Sequence, residues 1–241
     1  MLDYQKRRVE IIKELLPQFG NNFVLKGGTA LTLFYGCPRF SEDIDLDSMT
    51  SNMNFIKNLR LKDEWKLNIK KDTDTVFRVM IDYGDNKNGG AYPLKIEVSS
   101  RNKNFIGKEL TYQSINGVQV YTEDVIANMK AVAFSSRTKA RDVFDIGYLL
   151  EQKEELFTKT SLMSIYNQIG IKGLDELSAI LKIEQKEENM FFDFDSDEYV
   201  LEMENNCENK INEKRSLVAE IKDFQKNISD KRTNIEWDRE L

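Results

Sequence analysis

The sequence predicts an α+β fold, a mixed β-sheet flanked by helices and followed by an all-helical C-terminal domain. The two-residue alternation of strands is confined to residues 23–122. Within that region a short apolar run, Phe23–Lys26, feeds a pair of glycines and then a helical segment, a strand-turn-helix entry. From Thr122 onward the pattern is helical and stays so. A chain of 241 residues suits one large domain or two modest ones. The expected division is a core at 1–120, made of an N-terminal helix and the mixed sheet, and a helical domain at 121–241. With three prolines and no Ser/Gly-rich stretch, the boundary reads as a packed junction rather than a flexible tether.

Residues 4–19 place Val9, Ile12, Leu15, Leu16 and Phe19 at helical spacing, and Gly20 with two asparagines ends that helix. Phe23–Lys26 is the first strand. Thr29 suits the N-cap of a helix running to Tyr35. Asp43-Ile44-Asp45-Leu46-Asp47 alternates, so Ile44 and Leu46 face a core while the three acids share the other side. Residues 54–62 read as helix, and strands are expected at 65–71, 75–83 and 93–99. Asn116-Gly117 joins 110–115 to 118–122 as a hairpin. Helices are expected at 122–137 and 141–153. The tail from Asn206 spaces Ile211, Val218, Ile221, Phe224 and Ile228 as a charged amphipathic helix.

Composition removes several chemistries. Histidine is absent, which excludes Ser-His-Asp and Cys-His nucleophiles, His-ligated zinc and any imidazole acid or base. Cys37 and Cys207 are too few for a disulfide framework or a four-cysteine zinc site and read as reduced, partly buried thiols. An enzyme of this composition works with carboxylates, Lys, Arg and a hard metal ion. The formal charge of −6, from 35 basic and 41 acidic residues, is not that of a general nucleic-acid binder. Locally the balance differs: Lys130, Arg137, Lys139 and Arg141 lie in a stretch without acids, whereas 184–204 carries nine acids and one base, Lys186. No apolar run approaches the ~20 residues of a membrane span. The charged, helical start is unlike a signal peptide, so a soluble cytoplasmic protein without a membrane partner is expected.

Two glycines after a strand let a ligand approach backbone N–H groups where a helix dipole favours an anion. A phosphate meets these requirements, with the Thr29 hydroxyl beside it; a tight strand-to-helix turn would use the same residues. Asp43 and Asp45 share one strand face and can hold a pair of Mg²⁺ (or Mn²⁺) ions through hard oxygen ligands. Asp47 offers a second Asp-x-Asp with Asp45. Like charges this close repel, so a cation or open water is expected among them. In two-metal chemistry one ion activates the attacking hydroxyl and the other clamps the triphosphate and leaving group. Glu97, between core-facing Ile96 and Val98, is placed to supply a third carboxylate from a neighbouring strand; an exposed strand glutamate is the plainer reading.

Gly27-Gly28-Thr29-Ala30-Leu31, followed by Arg39-x-Ser41-x-Asp43-x-Asp45-Leu46, resembles the polymerase-β-like nucleotidyltransferase superfamily. Within it the pattern is similar to the AbiEii/AbiGii branch, toxins of type IV toxin–antitoxin and abortive-infection systems. A second block, KAVAFSSRTKARDVFDIGYLL from Lys130 to Leu150, resembles a later motif of that branch. The resemblance spans about residues 25–150 and reaches no motif beyond residue 155. It implies a polymerase-β-like nucleotidyltransferase core that moves a nucleoside monophosphate from an NTP to an acceptor hydroxyl, such as a tRNA 3′ end. It places Gly27, Gly28, Thr29, Arg39, Ser41, Lys130, Arg137 and Arg141 around the nucleotide. Asp43, Asp45 and Glu97 become ligands of two Mg²⁺ or Mn²⁺ ions, and Asp142 an essential acid of the later motif. A cognate antitoxin is the implied partner. Against this stand plainer readings: Arg141, Asp142 and Asp145 as a buried salt-bridge cluster, and Lys130 as an exposed helical lysine. Transfer to a protein or small molecule, and a non-catalytic nucleotide- or partner-binding module, are the alternative functions.

Asp193, Asp195, Asp197 and Glu204 take the positions of a calcium loop, but Glu198 stands where that loop requires glycine. A solvated acidic loop is expected there instead.

Overall fold

The computed structural model describes the chain except residues 85–92, 108–110, 153–154, 187–189, 191–192 and 238–241, and in the last helix it describes side chains as far as residue 216. The chain opens with α1 (Asp3–Leu15), β1 (Phe23–Lys26), α2 (Gly27–Phe34) and β2 (Ile44–Ser48). Five strands follow: β3 (Lys66–Asp72), β4 (Val76–Asp82), β5 (Leu94–Ser99), β6 (Tyr112–Ile115) and β7 (Val118–Tyr121). Then come α3 (Glu123–Ser136), α4 (Ala140–Gln152), α5 (Lys159–Lys172), α6 (Leu174–Lys186) and α7 (Ser196–Trp237). The strands form one sheet in the order β3-β4-β5-β2-β1-β7-β6. It is mixed, because β2 pairs with β5 and β1 with β7 in parallel while the other neighbours are antiparallel.

Register decides what the sheet presents. Asp45 lies opposite Lys26 on β1 and opposite Glu97 on β5, and Glu97 lies opposite Arg78 on β4. Side chains directly across a ladder share a face, so Arg78, Glu97, Asp45 and Lys26 form one charged rung across four strands. The opposite face carries Leu25, Ile44, Leu46, Val79, Ile81, Ile96 and Val98, all buried in a core that also takes Ile12 and Leu15 of α1. The turn between β6 and β7 holds Asn116 at φ 50° and Gly117 at φ 80°, the left-handed pair that a two-residue hairpin needs. The edge strand β3 is exposed along most of its length and carries Lys66, Lys70 and Lys71, which discourages edge pairing.

Two local expectations are corrected. Residues 54–62 form only a 3-10 turn, Ile56–Asn58. The Asn52 and Asn54 side chains accept from the backbone of Asn54 and Ile56, and Asn58 reaches the Phe19 carbonyl, so these side chains compete with a helix. Thr29 is not an N-cap: α2 begins at Gly27, and extended Lys26 precedes it. The Thr29 hydroxyl instead donates to the Asp43 carbonyl and sits 2.8 Å from Ser41 Oγ, tying α2 to the entry of β2.

In the helical half, α7 packs on α4, α5 and α6, burying Val200, Met203, Cys207 and Ile211 at helical spacing. The expected tail residues Val218, Ile221, Phe224 and Ile228 have side chains outside the described set. Tyr199 stacks on Phe144 and approaches Gly147 so closely that a Cβ there would sit 2.5 Å from its ring. The acidic stretch is only partly a solvated loop. Asp195 accepts from the Asp197 and Glu198 backbone at the start of α7, Asp197 pairs with Lys182, and Glu184 pairs with Arg141. Glu187 and Glu188 lie outside the described residues. Both cysteines are buried and free; burial raises the Cys207 thiol to about 12 and pushes Cys37 higher still.

The sheet and the helical half are joined by a buried ion pair. Arg39, in the loop before β2, donates to both carboxylate oxygens of Asp145 on α4, at 2.6 and 2.8 Å, with neither side chain more than 2% exposed. Burial by itself raises the Asp145 carboxyl, but Arg39 and Lys130 outweigh it and hold it down at about 2. A carboxyl whose folded pKa lies below its unfolded value of about 3.9 stabilises fully above that value and ceases to as pH falls towards 2. Denaturation midpoints measured against pH should therefore drop between about pH 4 and pH 2. Asp145→Asn should flatten that part of the profile and lower stability at neutral pH by about 3–5 kcal/mol, the usual loss for a broken buried pair.

Candidate active site

The charged rung opens into two adjoining cavities. The larger, about 470 Å³, is bounded by the rung residues, Gly27, Asn102 and an apolar strip of α3 formed by Ile126, Met129 and Ala133. The smaller, about 160 Å³, is lined by Gly28, Ser41, Asp43, Lys139, Arg141 and Asp142 among others. Asp45, Lys95, Lys130 and Arg137 border both.

The cation expected among the three acids is present twice. Lys95 Nζ lies 2.7 Å from Asp43 Oδ2 and 3.8 Å from Asp45 Oδ1. Burial raises the Asp43 carboxyl, while Lys95 pulls it back. Asp47, which offered a second Asp-x-Asp with Asp45, is instead fully buried and pairs with Lys26 at 2.5 Å. Glu97 is turned to Arg78, at 2.5 Å, rather than gathered with the aspartates. Among the described residues no three acidic, cysteine or histidine side chains are poised to ligate one ion. The donor set nonetheless fits a hard divalent metal: carboxylates from paired strands face one cavity, and the cations lodged among them mark where positive charge is favourable. A metal held by Asp43, Asp45 and Glu97 would take over the charge that Lys95 and Arg78 now neutralise.

The two glycines have different reasons. Gly27 has φ +75°, a conformation other residues resist, and faces the Asp45 carboxylate. A Cβ on Gly28 would sit 2.4 Å from Arg39 Nη2 and 2.9 Å from Ser41 Oγ, so glycine there lets the Arg39 guanidinium pass beneath α2. Arg39 thus lies under the site, bound to Asp145, and Thr29 is only 2% exposed.

The second block forms a buried cluster, but not of the expected members: Asp142 and Asp145 are buried, their partners are Lys130, Arg137 and Arg39, and Arg141 pairs elsewhere. Lys130 is 8% exposed, which overturns the exposed helical lysine. Its Nζ stands 3.0 Å from Asp142 and 2.6 Å from Asp145. Arg137 completes the cluster by donating to Asp142 at 3.0 Å, with about half of its side chain exposed (54%). Arg141 bridges Glu42 and Glu184 at 2.8 and 2.9 Å. Sequence reading missed Lys26, Arg78, Lys95 and Asn102. Lys95 carried a signal, since it stands two residues before Glu97 and so shares its face.

A glycine-entered helix beside paired strand carboxylates, facing a lysine–aspartate cluster from helices, is the arrangement expected of the nucleotidyltransferases that the two motif blocks resemble. Residues 11–241 match the family described as nucleotidyl transferase AbiEii toxin, type IV toxin–antitoxin system, and the chain belongs to that family. It is similar to JHP933 from Helicobacter pylori, whose crystal structure aligns with a TM-score of 0.79 at 27% identity over 93% of this chain and 99% of that one. A second H. pylori structure, described as a nucleotidyltransferase candidate, aligns at a TM-score of 0.76 and 26% identity over 90% of this chain and 99% of its own. No curated protein matches significantly. Among the described residues no helix is long and apolar enough to cross a membrane.

Lys95→Met removes the cation lodged between Asp43 and Asp45. Titration with Mn²⁺, followed by electron paramagnetic resonance, should show affinity at least about tenfold tighter than wild type, a modest share of one charge at this range. Unchanged or weaker affinity would place the metal away from these aspartates.

Proposed function

We propose that this nucleotidyltransferase moves a nucleoside monophosphate from an NTP to a hydroxyl of RNA, such as a tRNA 3′ end, in a divalent-metal-dependent reaction in the cytoplasm, and acts thereby as a toxin. The observation that carries this reading is the position of Asp45 between two cavities bordered by Lys95, Lys130 and Arg137, with Asp43 beside it at the smaller one. The larger cavity has the volume of a nucleotide site, and its apolar α3 strip suits a base. Lys130 and Arg137, already fixed by Asp142, offer cations to a phosphate chain running toward the smaller cavity. Lys139 and Arg141 at that cavity support an RNA backbone as the approaching acceptor.

In the reaction the acceptor oxygen attacks the α-phosphorus, the bond to the bridging α–β oxygen breaks, and pyrophosphate leaves. Glu97, once released from Arg78, takes the acceptor proton. A bound pair of Mg²⁺ or Mn²⁺ ions would supply Lewis-acid activation of the hydroxyl and neutralise the leaving pyrophosphate. Asp142 holds Lys130 and Arg137 in position. Family membership implies a cognate antitoxin that counters the toxin's effect.

Incubation with each α-labelled NTP, Mg²⁺ or Mn²⁺ and total bacterial tRNA tests the reading. Label should move to RNA with wild type, and Asp45→Ala should lower turnover by at least about 10³-fold while leaving the melting curve cooperative. Turnover retained by Asp45→Ala would falsify the assignment, and label appearing on protein instead would replace RNA as the acceptor.

A further inference from the structure

The charged rung ends on β1 at Lys26, immediately before Gly27, and Lys26 borders the larger cavity. Its ammonium is held from beneath. Asp47, fully buried, accepts from Lys26 Nζ at 2.5 Å, from Asn102 Nδ2 at 2.7 Å and from the Tyr121 hydroxyl at 3.0 Å. Burial and the Asp47 carboxylate push the Tyr121 phenol well up, so its hydroxyl remains a donor. These contacts come from β1, the turn after β5 and β7, and they fix the carboxylate from separate directions. An ammonium has three N–H donors, and Asp47 engages one of them. The Lys26 side chain keeps 24% of its surface, on the side of the cavity.

A free surface lysine loses rotamer freedom when it binds an anion. Lys26 has already lost it to Asp47, beside the backbone N–H groups that open α2 and across the rung from Asp45. We propose that Lys26 is a phosphate-binding residue of the nucleotidyl-transfer site and that Asp47 is the positioning residue that aims it. The inference rests on that reading of the site. The ligand group is a substrate phosphate, and it can belong either to the phosphate chain of the nucleotide or to the backbone of the RNA acceptor. It also accounts for the third acid of Asp43-x-Asp45-x-Asp47, which the reaction does not use.

The test is equilibrium binding by the full chain of α,β-methylene NTP analogues, inorganic tripolyphosphate and tRNA, each measured separately. Lys26→Gln keeps a donor for Asp47 but removes the charge, Lys26→Arg keeps the charge, and Asp47→Asn loosens the anchor. Lys26→Gln should weaken the analogue and tripolyphosphate by at least about tenfold, near 1.4 kcal/mol. Lys26→Arg should recover most of that loss, and Asp47→Asn should fall between. A loss confined to tRNA would support the same contact with the acceptor's phosphate as its source. Lowered melting temperatures with all three affinities unchanged would overturn the inference and leave Lys26–Asp47 a structural pair. If Lys26→Gln fails to melt cooperatively, the comparison of Asp47→Asn with wild type decides by the same criteria. Wild type binding neither nucleotide nor RNA would remove the nucleotidyl-transfer reading itself, and this inference with it.

Discussion

A guanidinium almost without solvent contact survives only where a carboxylate meets it squarely, and Arg39 depends on Asp145 for that. Much of the site's layout follows from this pair. Gly28 lacks a side chain because Arg39 passes under it. Asp145, once charged inside the protein, also draws in Lys130, and Lys130 brings Asp142 and then Arg137 into the same network. One end of the network is set by the loop preceding β2 and the other by α3 and α4. The acids on the sheet and the cations on the helices thereby line the same cavities. The backbone bridge between Arg39 and Met190 fastens the segment before α7 to the same point.

The sheet face solves a second electrostatic problem. Three aspartates at alternate positions, Asp43 just before β2 and Asp45 and Asp47 within it, could not stay ionised side by side without compensation. Neighbouring strands supply it by register: Lys95 from β5 lies against Asp43 and Asp45, Lys26 from β1 against Asp47, and Arg78 from β4 against Glu97. The pairs differ in depth. Asp47 is sealed in the sheet, whereas Asp43 and Asp45 border open volume and keep the freedom to exchange Lys95 for another cation. A face whose carboxylates are largely compensated at rest, and freed when its lysine moves, suits the proposed site for metal and triphosphate.

Much of this was legible in the residues. Strand-period patterning located β2, β3, β4, β5 and the Asn116-Gly117 hairpin, while β1 was read as a short apolar run entering the glycines. The two motif blocks pointed to the family and to most residues lining the cavities. What escaped was set by long-range pairing. Nothing local to Asp47 distinguishes it from Asp45; only the approach of Lys26, Asn102 and Tyr121 buries it. Thr29 has the composition of a cap, yet its hydroxyl finds the Asp43 carbonyl across a loop. Residues 54–62 have helical spacing, but their asparagines bond to nearby backbone. The plainer alternative for Lys130, an exposed lysine, fails because Asp142 and Asp145 on the next helix draw it in.

The most direct measurement is a crystal structure of the protein with Mn²⁺ and an α,β-methylene NTP, with manganese located by anomalous scattering. Manganese between the Asp43 and Asp45 carboxylates, with Lys95 displaced onto the phosphate chain and the Arg39–Asp145 pair intact beneath Gly28, is the expected result. Nucleotide bound elsewhere, or bound here with Lys95 still lodged between the aspartates and no manganese beside them, would contradict a metal-dependent nucleotidyl-transfer site on this face.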